Sequence, residues 1–560
     1  MNEEGEQSRA ARSAGKDRAK PPIVGIGASA GGVKALQEFF EHVADNLGAA
    51  FVVIVHLDPE SRSELPGILS ARTKMKVTEV QTTSDLEQDQ IYVIPPDRRV
   101  IISDHEVSAL AFESPRGQRS PIDLFFRSLA ERHGYDVAVI LTGAGSDGAA
   151  GIKAIKEAGG IVIVQDPNEA EYPSMPRAAI ATEVADFVLP VEKMGPQLAE
   201  LIRTRGQVYD NLRDDEEEYL RRVLSHVRVR TGHDFSHYKR STVLRRIIRR
   251  TQVTRTESLA QYYQYLRDNV EEAQALLADL LISVTTFFRD PKAFDVLAKR
   301  VMPKLFDGKD ADGVIRVWIP GCATGEEAYT IAILLLEQAA KQELRPEIQV
   351  FASDMDTSAL SIAREGRYPE AIETDVNEER LRRFFSREGD HYRVKRELRD
   401  VVLFAHHSLL KDPPFTKLDL VSCRNLLIYL DRDLQAQVLN TLHYALNPNA
   451  YLLLGSSESA DHPHNLFRAI DRNMRIYESV PGSDDRSTGL PLLIRVPADD
   501  FAPLTHDRGR APAPSDAVLH RLALEKIAPP SILVDEGHRT IHLSESAGRY
   551  LQPAGGSLTG

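Results

Sequence analysis

Two stretches of this chain alternate continuously apolar runs with helix-like segments, and this alternation limits the folds available to it. In residues 22–190 the runs are IVGIGAS, FVVIVH, DQIYVI, DVAVILTG and GGIVIVQD, and in residues 314–455 they are VIRVWIP, EIQVFASD, VVLFAHH, LDLVSC and AYLLLG. Because the runs lack polar alternation, they predict strands buried on both faces of a parallel sheet. The predicted fold class is therefore α/β, with two doubly wound, Rossmann-like domains.

The segments around these two regions differ in composition. A charged stretch, NLRDDEEEYLRR, opens a helix-rich segment that runs to about Asp290, and we expect a small helical subdomain there. Residues 1 to about 20 have the polar composition of a disordered tail. A polar linker, VPGSDDRSTG, follows the second α/β region. At 560 residues the chain is too long for one hydrophobic core, so several domains are expected.

Composition excludes several classes of protein. The net charge of −13 argues against general nucleic-acid binding. Only Cys322 and Cys423 are present, so neither a disulfide framework nor a cysteine-rich zinc site is available. The polar start has no apolar core of a signal peptide, and no apolar run approaches the roughly 20 residues of a membrane helix. We therefore expect a cytoplasmic protein.

The turn after the first apolar run, IVGIGASAGG, fits two motifs. Gly25, Gly27 and Ala30 have the spacing of a turn that places a pyrophosphate on a helix N-terminus. The same residues also read as GxSxG, a strand-to-helix turn that presents Ser29 as a nucleophile. Local spacing leaves both interpretations open.

A serine nucleophile needs a base and an acid that orients the base, and both should lie at the same edge of the sheet. His56 ends the run FVVIVH, and Asp147 follows DVAVILTG. Each residue alone has an ordinary structural interpretation, such as a turn contact. The nucleotide interpretation would need an acid near the second strand end, where Asp58 is the candidate. The coincidence of Ser29, His56 and Asp147 favours catalysis.

Residues 22 to about 195 resemble the catalytic domain of CheB-type chemotaxis protein-glutamate methylesterases. The resemblance rests on IGASAGG, VHLDP, IYVIPPDRRV, LTGAGSDGA and SMPRAAI. It implies that Ser29 attacks a receptor methylglutamate ester, that His56 acts as general base and then acid, and that Asp147 orients His56. Backbone amides near Ser29, with one from the turn 142–145, are expected to hold the oxyanion.

The second α/β region predicts a nucleotide-like cofactor. VIRVWIP is followed by GCATGEEAY, in which Gly321 and Gly325 allow the backbone to approach a ligand closely. The next strand ends at Asp354, where a carboxylate can accept ribose hydroxyls, and Asp356 is a second possibility. Strand, turn, helix and terminal acid together favour a bound ligand.

Residues 216–478 resemble the CheR family of chemoreceptor methyltransferases, which use S-adenosylmethionine. The motifs are ISVTTFFRDP, GCATGEEAY, FASDMD and SCRNLLIYL. The resemblance implies that Arg289 meets the cofactor carboxylate, Glu327 its amino-acid end and Asp354 its ribose, while no metal is required. The full set of implied cofactor-binding residues is Thr285, Arg289, Glu327, Asp354, Ser408, Leu409, Asn425 and Tyr429, the last two near the transferred methyl group.

A basic strip in the helical subdomain is the predicted docking surface for methyl-accepting chemoreceptors or similar signalling proteins. It consists of Arg245, Arg246, Arg249 and Arg250 at helical spacing in RRIIRR. The family implies that this subdomain recognises acidic receptor helices. Nucleic acid is disfavoured, because no aromatic platform accompanies the strip.

The sequence thus predicts a fused esterase and methyltransferase of opposite sense. The alternatives are a non-catalytic scaffold that binds S-adenosylmethionine and receptor-like partners, and a pair of enzymes acting on small molecules. The last segment, VDEGHRTIHLSESAGRYL, resembles the start of a PAS sensor domain. The predicted domains are a tail (1–21), the CheB-type domain (22–195), a helical CheR subdomain (210–290), the CheR-type domain (291–480), a linker (481–514) and an incomplete PAS-like segment (515–560).

Overall fold

The computed structural model describes residues 21–56, 64–96, 98–103, 106–112, 120–131, 136–281, 283–343, 345–481, 532–534 and 540–543. The chain divides into two compact units, Met1–Ile494 and Arg495–Gly560. The predicted tail, the linker and the PAS-like segment lie almost entirely outside the described residues. Among the described residues, no helix combines the length and the apolar character that a membrane crossing requires.

The first α/β region forms a seven-stranded parallel sheet with the order β10-β9-β8-β1-β2-β5-β3. Three strands that fall between β3 and β8 along the chain form a separate, small antiparallel sheet with the order β4-β7-β6. The five predicted runs are the strands β1, β2, β5, β8 and β9. The elements are β1 (Ile23–Ala28), α1 (Gly32–Glu41), β2 (Ala50–Val55), α2 (Leu65–Ser70), β3 (Lys76–Glu79), β4 (Thr83–Asp85), β5 (Gln90–Val93), β6 (Arg98–Ile102), β7 (Glu106–Ala111), α3 (Pro121–Glu131), β8 (Val137–Ile140), α4 (Ala149–Ala158), β9 (Ile161–Gln165), α5 (Ser174–Ile180) and β10 (Phe187–Leu189).

Alternate residues of these strands enter different hydrophobic cores. Phe51 and Val53 of β2 pack into one core, and Val52 and Ile54 pack into the other. All six residues of β2 are buried. Both faces of the sheet are therefore covered, which is why the strands read as unbroken apolar runs.

The helical segment begins with one long helix that starts inside the predicted esterase domain. Helix α6 spans 41 residues and crosses the range that separates the two predicted domains, so their boundary remains a proposal. A separate apolar core holds the helices together. The helices are α6 (Val191–Thr231), α7 (Arg240–Val253), α8 (Leu259–Asp268) and α9 (Val270–Leu281).

The second α/β region forms a seven-stranded sheet with the order β16-β12-β11-β17-β18-β20-β19, whose last two strands are antiparallel. The five predicted runs are β11, β12, β16, β17 and β18, so the predicted α/β class with two parallel sheets is confirmed. The elements are α10 (Pro291–Arg300), α11 (Met302–Phe306), β11 (Val314–Pro320), α12 (Glu326–Ala339), β12 (Glu347–Asp354), α13 (Thr357–Glu365), β13 (Arg367–Pro369), α14 (Glu378–Phe384), β14 (Phe385–Glu388), β15 (His391–Val394), α15 (Arg396–Arg399), β16 (Val402–His406), β17 (Leu418–Cys423), α16 (Arg432–Ala445), β18 (Leu446–Leu454), β19 (Phe467–Asp471) and β20 (Ile476–Ser479).

The described part of the second unit is an antiparallel pair of strands. These are β21 (Ile532–Val534) and β22 (Thr540–Leu543). The pair agrees with the strand-turn-strand start expected for this segment, but the PAS-like assignment stays a prediction.

Candidate active sites

Ser29 lies in the turn between β1 and α1, at the carboxyl edge of the first sheet. Its N–H donates to Thr142 O at 3.0 Å. A Cβ atom built at Gly143 would lie 2.8 Å from Ser29 Cβ, so the loop after β8 passes the serine with bare backbone. The turn that carries Ser29 is thus held in place by the neighbouring loop.

The glycines of the competing phosphate motif have a packing role. A Cβ at Gly25 would lie 2.8 Å from Phe125 Cζ, and one at Gly27 would lie 2.5 Å from Ile122 Cγ2. Both positions therefore admit helix α3 close to β1. This packing accounts for Gly25 and Gly27 without a ligand and supports the nucleophile interpretation of Ser29. Asp58 lies outside the described residues.

His56 and Asp147 meet beside Ser29. Ala28 and Val55 are paired across β1 and β2, so Ser29 and His56 are the next residues on adjacent parallel strands. His56 Nε2 lies 2.9 Å from Asp147 Oδ2, and the histidine side chain is 33% exposed. With Nε2 turned to the carboxylate, Nδ1 is the ring nitrogen left to serve Ser29. The exposed position suits a substrate carried on another protein.

Asp147 is fixed by the start of helix α3. Its carboxylate accepts the backbone N–H of Ile122 at 3.0 Å and of Asp123 at 2.9 Å. Helix N-termini favour an anion in this position. The acid that orients His56 is therefore itself held rigidly.

Asp123 is a functional candidate that the sequence analysis missed. It is buried behind Asp147 and accepts the Gly151 N–H at 2.5 Å, while its Oδ2 has no hydrogen-bond partner among the described residues. Burial, and then the charge of Asp147, raise the pKa of Asp123 well above its ordinary value. A protonated Asp123 leaves the charge of this pair on Asp147.

Several amides near Ser29 are already committed within the fold. Gly143 N–H donates to Tyr172 O at 3.0 Å, and Thr142 N–H donates to Gln165 Oε1 at 2.7 Å. Neither amide is available to an oxyanion in this arrangement. Of the predicted turn 142–145, the amides of Ala144 and Gly145 remain as candidates.

All eight predicted cofactor-binding residues line a single cleft at the carboxyl edge of the second sheet. The cleft encloses about 900 Å³ of space, including its open mouth. Its size and its mixture of apolar and charged walls suit a nucleoside with a charged amino-acid end. The eight are Thr285, Arg289, Glu327, Asp354, Ser408, Leu409, Asn425 and Tyr429.

The turn after β11 explains the position of Asp354. Gly325 has φ +94°, and a Cβ there would lie 2.8 Å from Ala363 Cβ, so a glycine is needed where the chain enters α12. Asp354 accepts Ala323 N–H at 2.8 Å and Asp356 N–H at 2.9 Å. Burial raises the pKa of Asp354, and these amides oppose the shift. Its carboxylate retains lone pairs for ribose hydroxyls.

Asp356, the second ribose candidate, has a structural role. Its Oδ1 accepts the N–H of Ser358 at 2.9 Å and caps helix α13. Its Oδ2 accepts the Ser283 hydroxyl at 2.6 Å. The structure therefore favours Asp354 over Asp356.

Glu327 is a buried carboxylate on the wall of the cleft. Burial raises its pKa, and the nearby Arg424 opposes this shift. Glu327 accepts the Ser422 hydroxyl at 2.6 Å, and Arg424 Nη1 lies 3.4 Å from its second oxygen. Arg424 is buried and also binds Asp290 at 2.6 Å. Arg424 was not among the predicted site residues, although it stands in the CRN motif of the sequence.

A second buried carboxylate shapes the segment that carries Asn425 and Tyr429. Asn425 has the left-handed φ of +57°. Glu458 accepts the N–H of Asn425 at 3.0 Å and of Ile428 at 3.2 Å. These bonds fix the turn that brings Tyr429 to the cleft, and burial raises the pKa of the Tyr429 phenol.

Tyr238 and Glu157 are lining residues that come from outside the second α/β region. Tyr238 belongs to the helical segment, and burial together with Asp354 raises its pKa to about 12. Glu157 belongs to α4 of the first α/β region. A sequence pattern gives no sign of either contact, because both depend on how the domains meet.

The predicted receptor-docking strip requires a correction. Arg246 and Arg249 are 1% and 0% exposed, so they face no partner. Arg246 donates to the carbonyl oxygens of Lys156 and Glu157 at the end of α4, and Arg249 binds Asp186 and Asp279.

The other two arginines of the strip also contact residues of the chain itself, Arg250 through an ion pair and Arg245 through its stem. Arg250 forms a bidentate pair with Glu272 at 2.9 and 2.7 Å. The stem of Arg245 lies against Gly159, with 3.0 Å between Arg245 Cγ and the position of a Cβ on that glycine. Helix carbonyls and acidic side chains of the chain itself attract this strip, an effect that sequence spacing cannot reveal.

Comparison with known families agrees with the two sites. Residues 24–198 match the CheB methylesterase family. Residues 218–281 match the all-alpha domain of CheR methyltransferases, and residues 283–476 match their SAM-binding domain.

Similar proteins cover different parts of the chain. An uncharacterized 104.1 kDa protein of Rhodobacter capsulatus is 35% identical over 88% of this chain, which spans 54% of that protein's length. Chemotaxis protein methyltransferase 2 of Vibrio cholerae is 31% identical over 46% of this chain and 93% of its own length. The crystal structure of the Thermotoga maritima CheB methylesterase catalytic domain is 29% identical, covers 32% of this chain and 99% of that chain, and has a TM-score of 0.31.

Proposed function

This chain belongs to the CheR methyltransferase family and carries a CheB methylesterase domain before the methyltransferase, and we propose that it methylates glutamates of chemoreceptors and hydrolyses the resulting esters. The observation that carries the proposal is geometric. Each predicted set of residues converges at the carboxyl edge of its own sheet, where ligands bind in folds of this class. The domain boundaries given above are part of this proposal.

The methyltransferase site needs alignment rather than acid–base chemistry. Bound S-adenosylmethionine supplies both the methyl group and the leaving group. Asp354 is proposed to hold the ribose, and Arg289 and Glu327 the amino-acid end. Thr285, Ser408 and Leu409 are proposed to close the walls. Asn425 and Tyr429 are proposed to position the acceptor carboxylate, which is already ionised at neutral pH.

The esterase site is proposed to work by acyl transfer. Ser29 Oγ attacks the ester carbonyl carbon while His56 takes its proton, and His56 returns a proton to the departing methanol. Water, activated by the same histidine, then releases the glutamate. Asp147 holds the ring and stabilises its charged form, which is supported by the 2.9 Å contact with Nε2. Deamidation of glutamine, in which ammonia leaves in place of methanol, is proposed as a second activity of this site.

Two single substitutions test the two assignments separately. Ser29→Ala removes the nucleophile, and Asp354→Ala removes the proposed ribose contact. Purified variants are assayed for transfer of labelled methyl groups to chemoreceptor signalling fragments and for methanol release from premethylated fragments. We expect Ser29→Ala to lose only methanol release and Asp354→Ala to lose only methyl transfer. The assignments would be refuted if both variants kept both activities, or if one variant lost both activities while it remained folded.

Membership of the CheR family implies that chemoreceptors are the substrates. Three of the four arginines of the strip, Arg246, Arg249 and Arg250, bind partners within the chain, so we propose that a different surface binds the receptor. A cytoplasmic location remains our prediction.

A further inference from the structure

Glu157 is the carboxylate of one catalytic domain placed in the cleft of the other. It is the penultimate residue of α4 and lines the same cleft as Thr285, Asp354 and Asn425. Its side chain is 18% exposed. A charged group at such a position requires partners, and the cleft supplies them.

One partner of Glu157, Tyr429, stands where the methyl acceptor is expected, and the other, Arg289, stands where the cofactor carboxylate is expected. Arg289 Nη2 lies 2.9 Å from Glu157 Oε1 and 3.1 Å from Oε2. The Tyr429 hydroxyl lies 3.4 Å from Oε1. Arg289 engages Glu157 through Nη2, and its Nη1 has a long contact of 3.5 Å with Val284 O. The guanidinium thus has donors left for a second carboxylate, that of the cofactor.

Resting on the function proposed above, we propose that Arg289 and Tyr429 form a subsite for a protein glutamate side chain, and that Glu157 of the esterase domain fills this subsite within the same chain. Glu157 carries the same chemical group as the proposed substrate. The substrate class of the cleft is a glutamate γ-carboxylate on a protein, and Glu157 presents that group from a protein helix.

The end of α4 contacts the helical segment, and α4 together with its neighbour α3, which carries Arg127, contacts the methyltransferase domain. Arg246 of the helical segment donates to Lys156 O at 2.6 Å. Lys153 Nζ lies 3.5 Å from Glu326 Oε1, and Arg127 binds Asp375 at 3.1 Å. These contacts hold the helix against the cleft, so the backbone of Glu157 has a fixed position beside Arg289 and Tyr429.

This arrangement makes Glu157 a competitor of receptor glutamates. An external glutamate reaches Arg289 and Tyr429 only after Glu157 leaves the subsite. This requires the esterase domain to shift or the end of α4 to change its conformation. Glu157 also places a negative charge where an acceptor must stand, beside the sulfonium of the cofactor. The contact therefore favours binding of the cationic cofactor while it excludes the acceptor.

The first test measures cofactor affinity without turnover. S-adenosylmethionine carries a sulfonium charge, and its product S-adenosylhomocysteine lacks it. We expect Glu157→Gln to lower the affinity for S-adenosylmethionine by about three- to tenfold in calorimetric titration, because the attraction between the carboxylate and the sulfonium in a partly buried site is lost. The affinity for S-adenosylhomocysteine should change little. The control is Glu131→Gln, an exposed glutamate at the end of α3, which should leave both affinities unchanged.

The outcomes separate the subsite from a merely structural contact. Equal weakening of both ligands would mean that Glu157 only supports the interface, and no change in either would place it away from the acceptor position. Either result overturns the proposal.

The second test uses a chemoreceptor signalling fragment and the chain saturated with S-adenosylhomocysteine, so no reaction occurs. We expect Glu157→Gln to bind the fragment at least about tenfold more tightly than wild type or Glu131→Gln. If the fragment binds none of the three chains while the first test succeeds, the proposed receptor function fails and the glutamate subsite stands. If the fragments bind all three chains equally, the competition is refuted.

Discussion

Asp147 combines two duties at the residue scale. It holds His56 through Nε2 and also accepts the first amides of helix α3. A helix start is a rigid support, so the ring of His56 is oriented by secondary structure rather than by a flexible loop.

Replacing Asp147 by asparagine keeps the shape but changes the bonding at this support. Asparagine offers one acceptor oxygen instead of two, so it cannot satisfy both the amides and the histidine. We expect Asp147→Asn to lower ester hydrolysis by about 10²- to 10⁴-fold with methyl transfer unaffected. The measurement is methanol release from methylated receptor fragments. Hydrolysis within about twofold of wild type would show that Asp147 does not orient the base.

The raised pKa of Asp123 gives a prediction about pH. In the unfolded chain this group titrates near 3.8, and in the folded chain its pKa is well above that. Between these two values the folded state binds more protons, so the free energy of unfolding falls as pH rises. Asp123→Asn keeps an acceptor for Gly151 N–H and removes this titration.

The comparison is made by urea denaturation at a series of pH values above 4. We expect wild type to lose stability relative to Asp123→Asn by up to about 1.4 kcal/mol per pH unit within the window. Parallel pH profiles for the two proteins would contradict a raised pKa at Asp123.

The strand-turn-helix unit of the methyltransferase depends on one glycine at the element scale. Gly325 has a left-handed φ and no room for a Cβ beside Ala363. Gly325→Ala should displace the turn that connects β11 and α12 and destabilise the domain by about 1–3 kcal/mol. It should also lower the affinity for S-adenosylhomocysteine at least about tenfold.

Gly308→Ala is the matched control for this substitution. Gly308 has a φ of +72° but nothing within 4 Å of its Cβ position. It carries the backbone cost without the steric clash, so its cofactor affinity should remain near wild type when measured by calorimetry. Equal effects of both substitutions would show that the turn geometry does not matter for the ligand.

The same scale shows what the sequence could and could not predict. The unbroken apolar runs predicted ten strands, because a strand buried on both faces carries its environment in its own residues. Strand-end positions then predicted that Ser29, His56 and Asp147 converge and that Asp354 faces a ligand, whereas Glu327, near the start of α12, was implied by the family resemblance. The alanines and glycines of the nucleophile turn left two interpretations open, and only the packing of Phe125 and Ile122 against the glycines favours one of them.

The spacing of residues in the sequence did not predict the contacts between domains. The arginines of α7 were predicted to form a docking surface for another protein, yet Arg246 and Arg249 are buried against residues more than 60 positions away or across a helix pair. Glu157 gave no signal, because a glutamate near a helix end is ordinary until another domain is placed over it.

At the scale of the whole molecule, buried charge joins the esterase and the helical segment. Arg249 is fully buried and binds Asp186 of the first α/β region and Asp279 of α9. Arg249→Met should leave both carboxylates without their main partner and lower the free energy of unfolding by about 3–5 kcal/mol. Arg255→Met removes an exposed ion pair with Glu200 and should cost less than about 1 kcal/mol. Urea denaturation of both variants checks this, and similar small losses would mean that the interface does not need Arg249.

The central claim is that one chain carries two active sites that act in series on the same substrate. The most direct measurement mixes the purified chain with methyl-labelled S-adenosylmethionine and chemoreceptor signalling fragments and follows labelled, volatile methanol over time. We expect wild type to release methanol, and we expect Ser29→Ala to leave stable, base-labile label on the fragments and to release no methanol. Binding of the cofactor with no label on fragments that a CheR methyltransferase labels in parallel would contradict it.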